Sequence, residues 1–352
     1  MNLPIVVDKE DPKWVLLGNI LKIFDSRRVK QEIAKQGIKP ARKAGIMYKV
    51  VIISLFFSKD ISYVVSELKK REELRKFMGI LDVPSEHQIY EFLGRFTEEQ
   101  IMDCSLGILN TLCKPRKRGK AIIIVDSTDI SVDLNSKLHK YTKKSQEGKA
   151  VQWCYSKSKG YYLGFKLTMA LDYKTLRPMC FILHTGCTHD SKLFKPIMNE
   201  MRRRRLIRKE DTIVFDRGYY KYDNYRLGIT EYKIVPIIFP HKNMNLNRVL
   251  NTITYPFSAY KKGKLPEKVK KLFQRITRQF KHKIQHWREF QSKRGLIEDI
   301  FTLKKEGFSF KKLHRYTHPS VLKIVSIAAL LAGTITSQGY NTNQKLQKLA
   351  AS

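Results

Sequence analysis

The chain has few cysteines, few acids and no long apolar run, and each shortage excludes something. Its five cysteines (Cys104, Cys113, Cys154, Cys180 and Cys187) form no C-x-x-C pair and are odd in number. That argues against a disulfide scaffold and predicts reduced thiols in a cytoplasmic protein. The densest soft-ligand patch, Cys180, His184, Cys187 and His189, does not lie on one face of an extended strand, so zinc fits it poorly. The amino terminus, Met1-Asn-Leu-Pro-Ile-Val-Val-Asp8, lacks a basic start followed by an apolar core, and no signal peptide is predicted. The longest near-apolar run, 324–335, is interrupted by Ser326. It is too short to span a bilayer, so it predicts a buried helix and no membrane partner.

The shortage of acid carries more information. Against 68 Lys and Arg stand only 32 Asp and Glu, a formal charge of +36. Self-repulsion on that scale needs a polyanionic partner, and nucleic acid is the natural one, because neutralised phosphates release their counterions. Hydrophobic content of 42% over 352 residues means a globular chain with a large core and, by length, roughly two to three domains.

Three of the few acids sit where chemistry could use them. The runs Ala121-Ile-Ile-Ile-Val-Asp126 and Thr212-Ile-Val-Phe-Asp216 predict buried strands that end on a carboxylate and deliver it to the sheet rim. The stretch from Gln291 to Lys305 predicts a helix in which Gln291, Arg294, Glu298 and Lys305 fall within about 60° of one another. Leu296, Ile300 and Leu303 take the opposite side. Two strand-end aspartates and one helical glutamate make a hard, oxygen-only pocket, which suits two Mg²⁺ (or Mn²⁺) ions and phosphoryl transfer. Rival acids are weaker: Asp299 lies off the cationic stripe, Glu289 points to the apolar side, Asp129 returns to a solvated edge, and Asp190 serves as a helix cap.

In that spacing the chain resembles the insertion-sequence DDE transposases of bacteria and archaea, in the IS-four-type branch with its Y-R-E-K signature. Arg294, Glu298 and Lys305 match the signature, while its Tyr position is Gln291. Val125-Asp126-Ser-Thr resembles the first acidic motif and Phe215-Asp216-Arg-Gly-Tyr219 the second. Gly164-Phe-Lys166 and His189-Asp190-Ser-Lys192 resemble the intervals between them. The match runs in order over roughly residues 45 to 335. It implies an enzyme that binds terminal inverted repeats, cuts 3′ ends and joins them to target double-stranded DNA, as a homodimer in the synaptic complex. Asp126, Asp216 and Glu298 are then both the catalytic and the metal-holding residues. Arg294, Lys305, Lys166 and His189 are candidates for DNA contact, with the protein at the prokaryotic nucleoid. A recruited DNA-binding protein that does not cut, or a nuclease on the same fold, are the alternatives.

The fold class expected is α/β (α+β), an RNase H-like mixed sheet flanked by helices, with an amino-terminal helical domain and a carboxy-terminal helical cap. Residues 1–44 are basic and weakly patterned. A DNA-binding bundle of short helices is predicted over 45–117, with capping boxes at Ser85/Gln88 and Thr97/Gln100. The catalytic domain is predicted over 118–306. Within it, 133–160 reads as a long polar loop, 161–170 and 179–185 as a strand pair, and 240–285 as a lysine-rich insertion whose second half is a basic amphipathic helix. The segment 307–352 is expected to pack its 321–331 stretch against the catalytic domain.

Overall fold

In the computed structural model the described residues are 5–24, 27–39, 44–112, 120–132, 151–156, 160–186, 188–258, 266–303, 315, 317–340 and 343–351. Contacts divide the chain into a helical unit (1–116, 131–151 and 299–352) and a sheet unit (117–130 and 152–298).

The helical unit begins with α1 (Pro12–Phe24), α2 (Arg27–Lys35), α3 (Ala44–Phe56), α4 (Ile61–Lys70), α5 (Glu72–Met78), α6 (Glu86–Gly94) and α7 (Glu98–Leu112). Two of these helices lie in the segment that the sequence leaves unpatterned. Pro12 is the first residue of α1, where its missing N–H costs no hydrogen bond. Leu17, Ile20 and Phe24 of α1 and Val29 and Ile33 of α2 are buried. Both predicted capping boxes form: Ser85 and Gln88 exchange bonds of 2.9 and 3.2 Å, as do Thr97 and Gln100.

The sheet unit contains β1 (Ile122–Ser131), β2 (Gln152–Ser156), β3 (Gly160–Asp172), β4 (Pro178–Thr185), β5 (Thr212–Phe215) and β6 (Val235–Ile238). Its order is β2-β3-β1-β5-β6, with β4 also on β3. The β3 strand pairs antiparallel with β2 and β4, while β5 pairs parallel with β1 and β6. This is the expected mixed sheet. Helices α8 (Asp190–Arg203), α9 (Tyr222–Thr230), α10 (Leu246–Ser258), α11 (Glu267–Gln285) and α12 (Gln291–Thr302) flank it. The basic helix α11 buries Leu272, Phe273, Ile276, Phe280 and Ile284.

Two elements differ from expectation. Residues 152–156, within the predicted polar loop, form β2: Trp153 and Tyr155 alternate with buried Cys154, a strand pattern hidden among lysines. The remaining helices, α13 (His318–Ser337) and α14 (Asn343–Ala351), belong to the helical unit. There α13 packs against α7, α3 and α1 of the same unit. Gly333 explains the close approach, since a Cβ there would stand 2.5 Å from Leu109 Cδ2 on α7. By length and composition α13 could cross a membrane, yet 83% of its apolar window is buried within the protein, as in a core helix.

Candidate active site

The pocket starts from a register. Asp211 is fully buried and accepts the backbone N–H of Ala121 at 2.9 Å and that of Arg208 at 2.7 Å. This ties the start of β1 to the start of β5. From there Ile122 faces Thr212 and Val125 faces Phe215. One step further come Asp126 and Asp216, so two parallel strands present their aspartates side by side, about 5 Å apart in the hydrogen-bonding direction. The sequence predicts that the first strand ends at Asp126; the structure continues β1 to Ser131. What ends at that point is the pairing with β5, whose chain turns into a short 3-10 helix (Arg217–Tyr219) with Asp216 as its N-cap.

Glu298 arrives from α12, one turn after Arg294, and Arg294 joins the three acids. Its Nη2 lies 2.9 Å from Glu298 Oε1 and 3.2 Å from Asp126 Oδ2, while Nε lies 3.4 Å from Asp216 Oδ1. The last is an ion-pair distance without a hydrogen bond, and Nε is a buried donor that no acceptor satisfies. The buried side of α12 is formed by Ile297, Ile300 and Phe301, with Leu303 buried just past its end, rather than by Leu296, which is half-buried.

Depth grades the acids. The side chain of Asp126 is 9% exposed, that of Asp216 31% and that of Glu298 56%. Burial pushes the Asp126 carboxyl up to about 7; Arg294 opposes the shift and Asp216 adds to it. The same three acids raise the Arg294 guanidinium above its usual value against the opposing effect of its burial.

Behind Asp126 lies a set of hydroxyls that the sequence did not single out. Ser127 Oγ is 2.7 Å from Tyr219 Oη and 2.8 Å from Thr168 Oγ1, and Tyr219 is fully buried. Burial, followed by the charges of Asp190 and Asp126, holds that phenol well above its usual pKa. Adjacency was the available signal, since Ser127 follows Asp126 and Tyr219 closes the second acidic motif.

The remaining candidates have local partners. Lys166 Nζ contacts Asp190 Oδ1 at 2.7 Å and donates to the Thr188 carbonyl at 3.1 Å. His189, exposed, is the N-cap of α8 in place of Asp190, accepting the Ser191 N–H on Nδ1. Asp299 is buried, and Asp129 lies against the Tyr162 hydroxyl. Lys305 and Cys187 fall outside the described residues. Cys104, Cys154 and Cys180 are buried and form no disulfide.

Three carboxylates converging on one cation are of the hard-oxygen type that a divalent ion takes, and burial favours the neutral form of the deepest of them, Asp126. Among the described residues no three His, Cys, Asp or Glu side chains are drawn together as ligands of one ion. Here the acids surround a guanidinium.

The family model described as the transposase DDE domain matches residues 117–332. The chain belongs to the DDE transposase family. A cryo-electron microscopy structure of the piggyBac transposase synaptic complex with hairpin DNA is similar at a TM-score of 0.44 and 10% identity, covering 96% of this chain and 79% of that one. No curated protein matches. Asp126, Asp216, Arg294 and Glu298 all lie inside the matched DDE domain.

Proposed function

We propose that the protein is an insertion-sequence transposase of the IS-four type. It binds the inverted repeats of its element, cuts the 3′ ends and transfers them into target DNA. The observation that carries this reading is the meeting of Asp126, Asp216 and Glu298 around Arg294, from positions far apart in the chain. The Arg294, Glu298 and Lys305 spacing supports the IS-four branch, with Gln291 in place of its tyrosine.

In the first step water attacks the phosphorus at the element end and the P–O3′ bond breaks, leaving a free 3′-hydroxyl. In the second that hydroxyl attacks a target phosphorus and displaces the target's own 3′-oxygen, so no covalent protein intermediate is needed. Asp126, Asp216 and Glu298 would hold two Mg²⁺ or Mn²⁺ ions. Such ions, when bound, make the attacking oxygen more nucleophilic and stabilise the leaving one. Arg294 balances the acids and, as a planar fork, is suited to contact phosphate; Lys305 adds a point charge. Lys166, on β3 and paired with Asp190, and His189, the N-cap of α8, would contact the DNA backbone.

Lys268, Lys270, Lys271, Arg278 and Lys281 on the exposed side of α11, together with the helical unit, supply the duplex-binding charge. The active assembly is a homodimer on paired ends, in the cytoplasm at the nucleoid. Incubation with Mg²⁺ and DNA carrying the flanking repeats of its own gene tests this. Joined products support the reading; cuts alone indicate a nuclease, and a shifted band alone a DNA-binding protein.

A further inference from the structure

Three aromatic side chains stand in solvent on one hairpin of the sheet unit. Trp153, Tyr155 and Tyr161 are 63%, 55% and 80% exposed. The other large hydrophobics so exposed among the described residues, Val6, Val15, Leu81 and Tyr90, belong to the helical unit. Cross-strand register places the aromatic side chains on one face: Tyr155 faces Tyr161 and Trp153 faces Leu163. The tyrosine rings lie 5.2 Å apart, tilted at 60°. On the opposite face Cys154 and Tyr162 are buried, so the hairpin is anchored and its aromatic face is held outward. Exposing so much aromatic surface forgoes the burial that normally stabilises such residues, and it marks an interaction surface.

The net charge of the chain selects the partner. In sequence Lys157 and Lys159 follow β2 and Lys143, Lys144 and Lys149 precede it, all outside the described residues, and the whole chain carries +36. Exposed aromatic faces on a strongly basic chain are the recognition chemistry of unpaired nucleobases. Each base offers a π-face to a ring while its phosphate meets an ammonium, independently of sequence. Paired bases in a duplex have both faces occupied by their neighbours and cannot use such a platform.

Building on the DNA reading above, we infer that the β2–β3 hairpin is a stacking platform for unpaired bases of a DNA strand, such as those freed beside a cut end. Trp153 makes the first stack and the Tyr155–Tyr161 pair the next.

The test uses the full-length protein in EDTA, so that no strand is cut, with a blunt duplex and a duplex of equal length bearing an unpaired 3′ tail. The tailed DNA should quench a part of the tryptophan fluorescence that is absent in Trp153→Phe, and blunt DNA should not. Replacing Trp153, Tyr155 and Tyr161 together by Thr, which preserves strand propensity, should weaken binding of tailed DNA by roughly five- to a hundredfold per lost stack. Affinity for the blunt duplex should change less than twofold. Replacing all three by Phe should retain most of the tail preference.

Equal losses on both DNAs, no loss on either, or a Phe variant as weak as the Thr variant would each overturn the platform. So would a shift from dimer to monomer in the Thr variant, which would make the patch a contact between copies. Wild-type protein that binds neither DNA would defeat the transposase reading itself, a result distinct from all of these.

Discussion

Oδ1 of Asp211 accepts the backbone N–H of Ala121 at 2.9 Å, across ninety positions of sequence. With the second bond from Arg208 N–H at 2.7 Å, this fully buried carboxylate holds β1 level with β5. Asp211→Ala takes the acceptor from two backbone donors, of which Ala121 is half-buried and Arg208 exposed. It should destabilise the protein by about 1–2 kcal/mol. A fall in the denaturant midpoint without a change of slope is the expected result.

Arg294 is the cation that the three acids share. Removing it strands carboxylates of which one is nearly inaccessible. Arg294→Ala should therefore cost about 2 kcal/mol in EDTA, a value reduced for the partial exposure of the site. Added Mg²⁺ supplies the missing charge, so it should raise the Tm of the variant by more than that of the wild type. An equal shift in both proteins would show that the guanidinium and the ions do not serve the same acids.

The raised pKa of Asp126 fixes the sign of a pH effect. The folded protein prefers this carboxyl neutral, with a value of about 7 against an ordinary 3.8. Its contribution is fully present below about pH 4 and is lost as pH rises through about 7. In EDTA, stability should decline over that window, and Asp126→Asn should flatten the decline. Divalent ions bind the ionised form, so Mg²⁺ affinity should fall as pH drops below about 7, measured by calorimetric titration.

Each carboxylate is proposed as a metal ligand, and none is needed to grip the duplex. Asp126→Asn, Asp216→Asn and Glu298→Gln should each reduce strand cleavage by roughly a thousandfold or more. Affinity for end DNA should stay within a few-fold. A Glu298→Gln protein that nicks normally would remove Glu298 from the site.

Gly45 lets α3 start hard against the end of α1. A Cβ at this position would stand 2.5 Å from the Phe24 carbonyl oxygen, a backbone atom that cannot swing aside. Gly45→Ala gains helix propensity but must push the two helices apart, for a net loss of about 1–2 kcal/mol. Thermal unfolding of the variant measures it.

These residues also separate what the sequence makes legible from what it does not. Asp126 and Asp216 could be found because an apolar β-branched run ending in an acid is a local pattern. The capping boxes could be found because each spans a single turn. The α1 helix could not, since Pro12 reads equally as a break or as a first helical residue, and only burial of Leu17 and Ile20 decides. The apolarity of α13 says that it is buried and is silent on which partner covers it. The sequence assigns Arg294 and Lys166 to phosphate because they are cations. The structure turns one toward three acids and the other toward Asp190, and side-chain direction of that kind is set by tertiary packing. His189 replaces Asp190 as a helix cap for the same reason.

The Asp211 tether acts five residues before Asp126 and Asp216, roughly 16 Å away along the strands. Alignment and chemistry are thus fastened at opposite ends of the stretch over which β1 and β5 pair. Segments beyond the tips can be lengthened, shortened or exchanged in an engineered version without sliding one aspartate past the other, which makes the tether rather than the pocket the part such a redesign must leave untouched.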